Sequence, residues 1–220
     1  MKKIMFNDRF GLTEAVLSGR KTMTRRIIGQ YIERDWNRRG VVQLPVGGFE
    51  HDVLFMDVRQ ILPDAGRSDY SAPKKYQPKY ERGEIIAVAQ SYHELNKRGF
   101  IAPEWCEHSC EDSAGYENKM FVRADLMPHR IRITDIQLQR LNNISDEDCM
   151  REGITKGDFK DFPQQMYFPY KGCKDTEVMW TPQGAFSILI DKICGKGTWD
   201  SNPWVYVYTF ELLDDKGDSI

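Results

Sequence analysis

The chain has 220 residues, a length that suits one domain with insertions better than two small domains. Hydrophobic residues make up 40% and aromatic residues 12%, so we expect a packed core and exclude global disorder. The net charge of −2 excludes binding of a polyanion by overall attraction, but residues 1–39 carry ten Lys or Arg against four Asp or Glu. A local basic face that meets phosphate therefore stays open.

The lengths of the apolar runs and the number of cysteines indicate in which cellular compartment the protein is expected. No apolar run reaches the roughly 18 residues of a membrane span, so no membrane partner is expected. The basic start, Met1–Lys3, is followed by Asn7, Asp8 and Arg9 instead of the apolar core of a signal peptide. Five cysteines, an odd number in a chain too long to need disulfides, are typical of a reducing environment. These features predict a cytoplasmic protein.

The first predicted elements are a short strand and a short helix. Residues 3–6 predict the strand, and residues 11–18 predict the helix. The apolar face of that helix consists of Leu12, Ala15 and Val16. Gly19 fits the position just after the helix, where glycine is preferred. The polar and basic stretch that follows, Gly19–Arg26, is predicted to be irregular.

Two irregular segments, at about 30–80 and 97–118, interrupt the periodic parts of the chain. They are rich in turn-forming residues, and we interpret them as insertions on the surface of a single domain spanning residues 1–212. Residues 213–220 form a polar tail. Within the first insertion, Asp52–Arg59 fits a strand.

Three strands are predicted in the middle of the chain: Glu84–Gln90, Lys119–Ala124 and His129–Ile136. The third alternates, so Ile131 and Ile133 should lie on one buried face.

The last predicted elements are two helices and a strand. Acidic residues after Ser145 suit a helix N-terminus, so a helix is expected from Ser145 to Gly153. Residues 183–194 predict an apolar helix that stops at Gly195. Its expected core residues are Phe186, Ile190 and Ile193. Pro203–Leu212 predicts a strand, and the element order suggests an α+β fold with a small barrel or curved sheet flanked by helices.

Gly19–Arg26 is the first candidate site, because it places four cations and two hydroxyls within eight residues. Clustered Lys and Arg donors near backbone N–H groups can bind phosphate. A solvated basic turn would show the same composition. Charge alone leaves both interpretations open.

Five stretches carry a resemblance to a known family: Ala15–Arg26, Arg82–Val88, Met120–Ala124, Ile131–Gly153 and Asn202–Leu212. The most specific element is G-x-K-T-x-T-R, supported by S-x-E-D-x-x-x-E-G in the fourth stretch. The chain resembles the ASCH domain family of PUA-like barrels, and most of all the larger ASCH proteins of phages and prophages. The resemblance implies a PUA-like β-barrel with a cleft, and RNA or modified nucleosides as ligands.

One branch of this family is an amidohydrolase that removes the acetyl group from acetylcytidine with a Lys, a Thr three residues later and a Glu on a later helix. The resemblance carries these roles onto Lys21, Thr24 and Glu152, and it implies no metal or cofactor. Lys21 can act as a base only if burial or nearby cations lower its pKa, whereas a neighbouring Glu152 would raise it. The neighbours expected to bind the ligand are Arg20, Thr22, Arg25 and Arg26.

Gln90 departs from the family pattern, which often has a carboxylate at that point of the central strand. If that carboxylate helps catalysis, this protein is a binder only, and Gln90 would suit hydrogen bonding to a base edge. Two other functions therefore stay open. One is a non-catalytic RNA-binding module, and the other is a phage-encoded interaction protein whose insertions bind a protein partner.

The cysteines offer one further candidate site. Cys106-x-His108-x-Cys110 has zinc-ligand residue types, but the usual second pair is missing, so free cysteines in a loop are the preferred interpretation. Cys149 and Cys194 lie in predicted helices and are expected in the core.

Overall fold

The computed structural model describes residues 1–28, 78–99, 113–159 and 162–214. These residues form a five-stranded mixed sheet, a separate two-stranded sheet and five α-helices. The α+β class predicted from the sequence is confirmed. The predicted strand at Asp52–Arg59 and the motif Cys106–Cys110 lie outside the described residues.

The strands in chain order are β1 (Lys3–Ile4), β2 (Met23–Ile27), β3 (Ile85–Val88), β4 (Arg130–Arg140), β5 (Thr155–Phe159), β6 (Phe162–Phe168) and β7 (Trp204–Leu213). The larger sheet has the order β1-β3-β4-β7-β2, in which only β1 and β3 are parallel. Strands β5 and β6 form the separate antiparallel hairpin.

The helices are α1 (Leu12–Leu17), α2 (Tyr92–Lys97), α3 (Asp146–Arg151), α4 (Pro182–Cys194) and α5 (Thr198–Ser201). Ser145 caps α3 as predicted, since its hydroxyl accepts from the backbone N–H of Asp148. None of the helices within the described ranges has the length and apolar character needed to cross a bilayer.

The two edge strands of the larger sheet, β1 and β2, approach each other. Arg26 on β2 donates from Nη2 to the backbone oxygen of Met5, just beyond β1, at 2.7 Å. We call the gap between Met5–Phe6 and β2 the seam. The contact between Arg26 and Met5 indicates that the sheet curls. Among the described residues no backbone pairing of strands crosses the seam, so a closed barrel is not found.

The core lies on both faces of this sheet. Ile131 and Ile133 are fully buried, so the predicted face of β4 is confirmed. Alternation divides β3 between two clusters, since Ile86 and Val88 pack in the main core while Ala87 packs in a smaller one under α2.

Two predicted elements near the site are corrected. The second half of Gly19–Arg26, predicted to be irregular, belongs to β2 (Met23–Ile27), whose alternation is hidden because both of its faces carry polar side chains. Lys119–Ala124 is turn structure instead of a strand. Its backbone carbonyls are turned to the ammonium of Lys3, which binds the oxygens of Lys119, Met120 and Val122 at 3.0, 2.5 and 2.6 Å.

The predicted apolar helix is α4, and Gly195 ends it as expected. Phe186 and Ile190 are buried, but Ile193 is 38% exposed, and Cys194 is exposed as well. Both residues lie in the last turn of α4, where the helix leaves the core, so their predicted burial is wrong. The predicted burial of Cys149 is confirmed.

Candidate functional site

A buried ion pair joins the start of the chain to the end of α3. The Nζ of Lys21 lies 2.6 Å from Oε2 of Glu152 and also donates to the Glu152 backbone oxygen at 2.6 Å. The two side chains are only 2% and 5% exposed. The structure therefore brings together two of the three predicted catalytic residues, which are 131 positions apart in the sequence.

Neighbouring contacts hold these two segments side by side. Arg20 donates from Nη1 to the backbone oxygen of Gly153 at 2.7 Å. The backbone N–H of Thr22 donates to the oxygen of Arg151 at 3.0 Å, and the Thr22 hydroxyl accepts from Arg151 Nε at 3.3 Å. Arg20 and Thr22, predicted to bind ligand, thus fasten the end of α3 against the lysine.

Gly153 makes this close approach possible. Its φ of +111° lies in the region that favours glycine, and an added Cβ would stand 3.4 Å from Leu12 Cδ2 and 3.8 Å from Lys21 Cδ. Any other residue would strain this left-handed turn, although its Cβ would be in ordinary van der Waals contact with Leu12 and Lys21.

Arg25 completes the network on the other side of the carboxylate. Its Nη1 lies 3.2 Å from Glu152 Oε1, and its Nη2 lies 2.9 Å from Asp148 Oδ2. The Arg25 side chain is 1% exposed. The carboxylate of Glu152 is therefore bound by one cation on each oxygen, and the guanidinium of Arg25 binds the protein's own acids.

Burial dominates the electrostatics of the lysine. Loss of hydration lowers the pKa of Lys21 below its ordinary value of 10.5, and the Glu152 carboxylate opposes that shift without cancelling it. The nearby positive charges of Arg26 and Arg25 lower the pKa of Lys21 further. The competing effects expected from the sequence are thus resolved toward a lowered pKa of Lys21.

Thr24, three residues after Lys21, does not join the hydrogen bonds of this pair. Alternation along β2 places Thr24 and Arg26 on one face, and Met23 and Arg25 on the other. Thr24 is 5% exposed and pairs with Tyr208 of β7. Across the described ranges, its hydroxyl forms no hydrogen bond with the lysine or the glutamate.

Phe6 connects the ion pair to the seam. The centroid of its ring lies 5.9 Å from Lys21 Nζ and 5.7 Å from Arg26 Cζ, which fits cation–π contact with both. Phe6 is 4% exposed. The sequence contained no signal for this role, because an apolar residue after a short strand is most often core.

Gln90 is buried just beyond the end of β3, on the side of β1 away from β2. It lies two residues beyond β3, it is 2% exposed, and neither Oε1 nor Nε2 has a hydrogen-bond partner among the residues that the structure describes. The backbone N–H of Ala89 donates to the oxygen of Ile4 at 2.9 Å, which continues the pairing of β1 with β3. Gln90 is therefore the predicted ligand residue whose side chain stays unengaged by the protein.

The basic cluster as a whole is bound by internal acceptors. Each of its four cations donates to the protein's own oxygens: Arg20, Lys21, Arg25 and Arg26. Such cations are less available to a phosphate chain than those of a solvated patch.

A metal centre finds no support in the part of the chain that the structure describes, since no three His, Cys, Asp or Glu residues converge there. Comparisons of the chain with protein-family models, with curated proteins and with solved structures find no match.

Proposed function

We propose that this protein is a cytoplasmic hydrolase of the ASCH type, with a PUA-like barrel whose cleft is the seam, and that it removes an acyl group from a base amine of a modified nucleoside. The buried contact between the Lys21 amine and the Glu152 carboxylate carries the proposal. A lysine with a lowered pKa beside a fixed acid is a suitable proton carrier for amide hydrolysis.

The reaction begins with the neutral amine of Lys21, which takes a proton from the Thr24 hydroxyl or from a water. The oxygen so activated attacks the acyl carbonyl, and Arg26 at the seam supplies positive charge for the oxyanion that develops. The carbon–nitrogen bond then breaks, and the ammonium of Lys21 returns its proton to the leaving amine. One water is consumed, and a carboxylic acid and a free base amine are formed.

Glu152 keeps the lysine in place through this cycle. With Arg25 on Oε1, the carboxylate has its charge shared, and Oε2 stays aimed at Nζ. A carboxylate held by two cations orients the amine without pulling its pKa back to that of an exposed pair.

If Thr24 is the nucleophile, an acyl ester forms on its oxygen as the amine leaves, and the one water consumed then hydrolyses that ester. Thr24→Val removes the hydroxyl at nearly constant volume. Turnover retained in this variant would assign the nucleophile to water, whereas turnover retained only in Thr24→Ser would assign it to the hydroxyl.

The first experiment is incubation with acetylcytidine and related acylated nucleosides, with the released base measured by chromatography. We expect turnover by the wild type and by Lys2→Met, a control lysine whose side chain is 46% exposed beside Glu84. Lys21→Met should show no turnover while its melting curve stays cooperative.

The rival functions predict other outcomes. Salt-sensitive RNA binding without turnover of any acylated nucleoside would contradict the hydrolase and support the non-catalytic module. Failure of both, with a protein partner bound through the insertions, would support the interaction protein.

A further inference from the structure

Gln90 buries an entire carboxamide without a partner. Within the described residues, its Oε1 and Nε2 are two of three buried side-chain atoms that lack a hydrogen bond, and the third is Arg25 Nε, on a guanidinium already bound by two carboxylates. Buried amides are nearly always paired, because an unpaired one loses its bonds to water without replacement. An apolar side chain of this size would pack as well at lower cost, so the amide indicates an absent partner.

The strand register indicates that Gln90 lies near Phe6, which borders the seam. Ile4 of β1 pairs with Val88 of β3, and the same register extended by two residues sets Phe6 opposite Gln90. Alternation puts Gln90 on the face of Val88, which packs in the same core cluster as Phe6. The ring of Phe6 is the one that lies 5.9 Å from Lys21 Nζ.

A carboxamide presents a donor and an acceptor side by side in one plane. This arrangement complements the edge of a nucleobase on which an acceptor and a donor are adjacent. In cytosine these are ring nitrogen 3 and the exocyclic N–H, one hydrogen of which remains when that nitrogen is acylated. In uracil they are the 4-carbonyl and the ring N–H, which the amide can meet after rotating by half a turn.

We propose that the Gln90 carboxamide binds the base edge of the nucleoside through two hydrogen bonds and sets the specificity of the site. This inference rests on the proposed function for the position of the ligand. The inference requires the Gln90 amide to form its hydrogen bonds with the base, not with the phosphate or the acyl group.

The test compares the binding of uridine and of 3-methyluridine, which differ at the recognised edge and are both neutral. We expect the wild type to bind uridine roughly tenfold to a hundredfold more tightly, since the methyl group blocks one bond and leaves the amide unpaired. In Gln90→Met the ratio of the two affinities should fall to near one.

Two features protect this test from a folding artefact. Gln90→Met replaces an unpaired amide by an apolar chain of similar length, so its melting temperature should be unchanged or higher. The matched control is Gln183→Met, since Gln183 Nε2 already donates to the Ile144 oxygen at 2.9 Å and should affect stability without changing the affinity ratio. Gln90→Leu is the second variant should the first not fold.

Equal binding of the two nucleosides by the wild type would overturn the inference, as would a ratio that persists in Gln90→Met. Absence of binding of both nucleosides would overturn it too. Turnover of acetylcytidine, measured on the same samples, separates the two proposals. If the wild type prefers uridine and Gln90→Met does not, but neither protein hydrolyses acetylcytidine, only the hydrolase is refuted. If Gln90→Met hydrolyses acetylcytidine with an unchanged KM, only the role of Gln90 is refuted.

Discussion

Two lysines in this protein form ion pairs of the same length, but their pKa values shift in opposite directions. Lys21 lies 2.6 Å from Glu152, and Lys192 lies 2.6 Å from Glu177. The first lysine side chain is 2% exposed and the second is 35% exposed. The pKa of Lys21 is lowered, with burial as the main cause, whereas the hydrogen bond to Glu177 raises the pKa of Lys192.

The difference shows that a bound carboxylate does not by itself determine the pKa of a lysine. On the surface, water stabilises the charged amine and the carboxylate adds to that effect. At the seam, the loss of water outweighs the carboxylate, and Arg25 shares the charge of Glu152. Of these two pairs, only the buried one has a lysine whose pKa is lowered.

The largest expected effect comes from substituting each lysine by arginine. Arginine keeps the positive charge but stays protonated at every accessible pH. In Lys21→Arg we expect turnover to fall about 10²–10⁴-fold, because a guanidinium does not act as a base. Lys192→Arg should leave turnover unchanged. Both are measured with acetylcytidine, and substantial turnover by folded Lys21→Arg would mean that the site needs only a positive charge.

The next effect is on stability. Glu152→Gln leaves two buried cations without their shared anion, and we expect the free energy of unfolding to fall by about 3–5 kcal/mol. Glu177→Gln removes the anion of the more exposed lysine and should lower it by less, because the Lys192 ammonium keeps its access to water. Urea unfolding of both variants measures the difference, and equal losses would contradict the distinction between the two pairs.

A smaller effect should appear in the pH profile of Arg25→Met. Turnover by the wild type should rise with pH as Lys21 loses its proton, with a midpoint below 10.5. Without Arg25, one positive charge is lost and Glu152 acts on the lysine alone, so the pKa of Lys21 should rise and the profile should move to higher pH.

The control for this shift is Arg98→Met, since Arg98 pairs with Glu14 and Glu94 away from the seam. A profile of Arg25→Met that coincides with the wild type, or lies at lower pH, would show that Arg25 does not tune the lysine.

Local patterns predicted the elements whose two faces differ in polarity. The alternation around Ile131 and the cap at Ser145 are examples, because each depends on neighbours within a few residues. Strand β2 was missed for the opposite reason, since Arg25 enters a buried ion network and breaks the apolar pattern. Hairpin β5–β6 was missed as well. Half-buried and exposed positions alternate along β5, but the half-buried ones include Thr155 and Gly157, so the sequence shows no apolar pattern.

The site was only partly predictable. No spacing relates Lys21 to Glu152, and their pairing was expected from the family resemblance alone. The unpaired state of Gln90 and the contacts of Phe6 depend on the register between β1 and β3, which brings together residues far apart in the chain. Contacts between residues on different strands cannot be inferred from the neighbours of each residue in the sequence.

The most direct measurement follows the protonation of the two lysines in one sample. Carbon-labelled lysine side chains are titrated by NMR, with Lys21→Arg and Lys192→Arg used to assign the signals. We predict that Lys21 loses its proton below pH 10.5 and Lys192 above it. A Lys21 that titrates at or above Lys192 would contradict the claim that burial prepares this amine to act as a base.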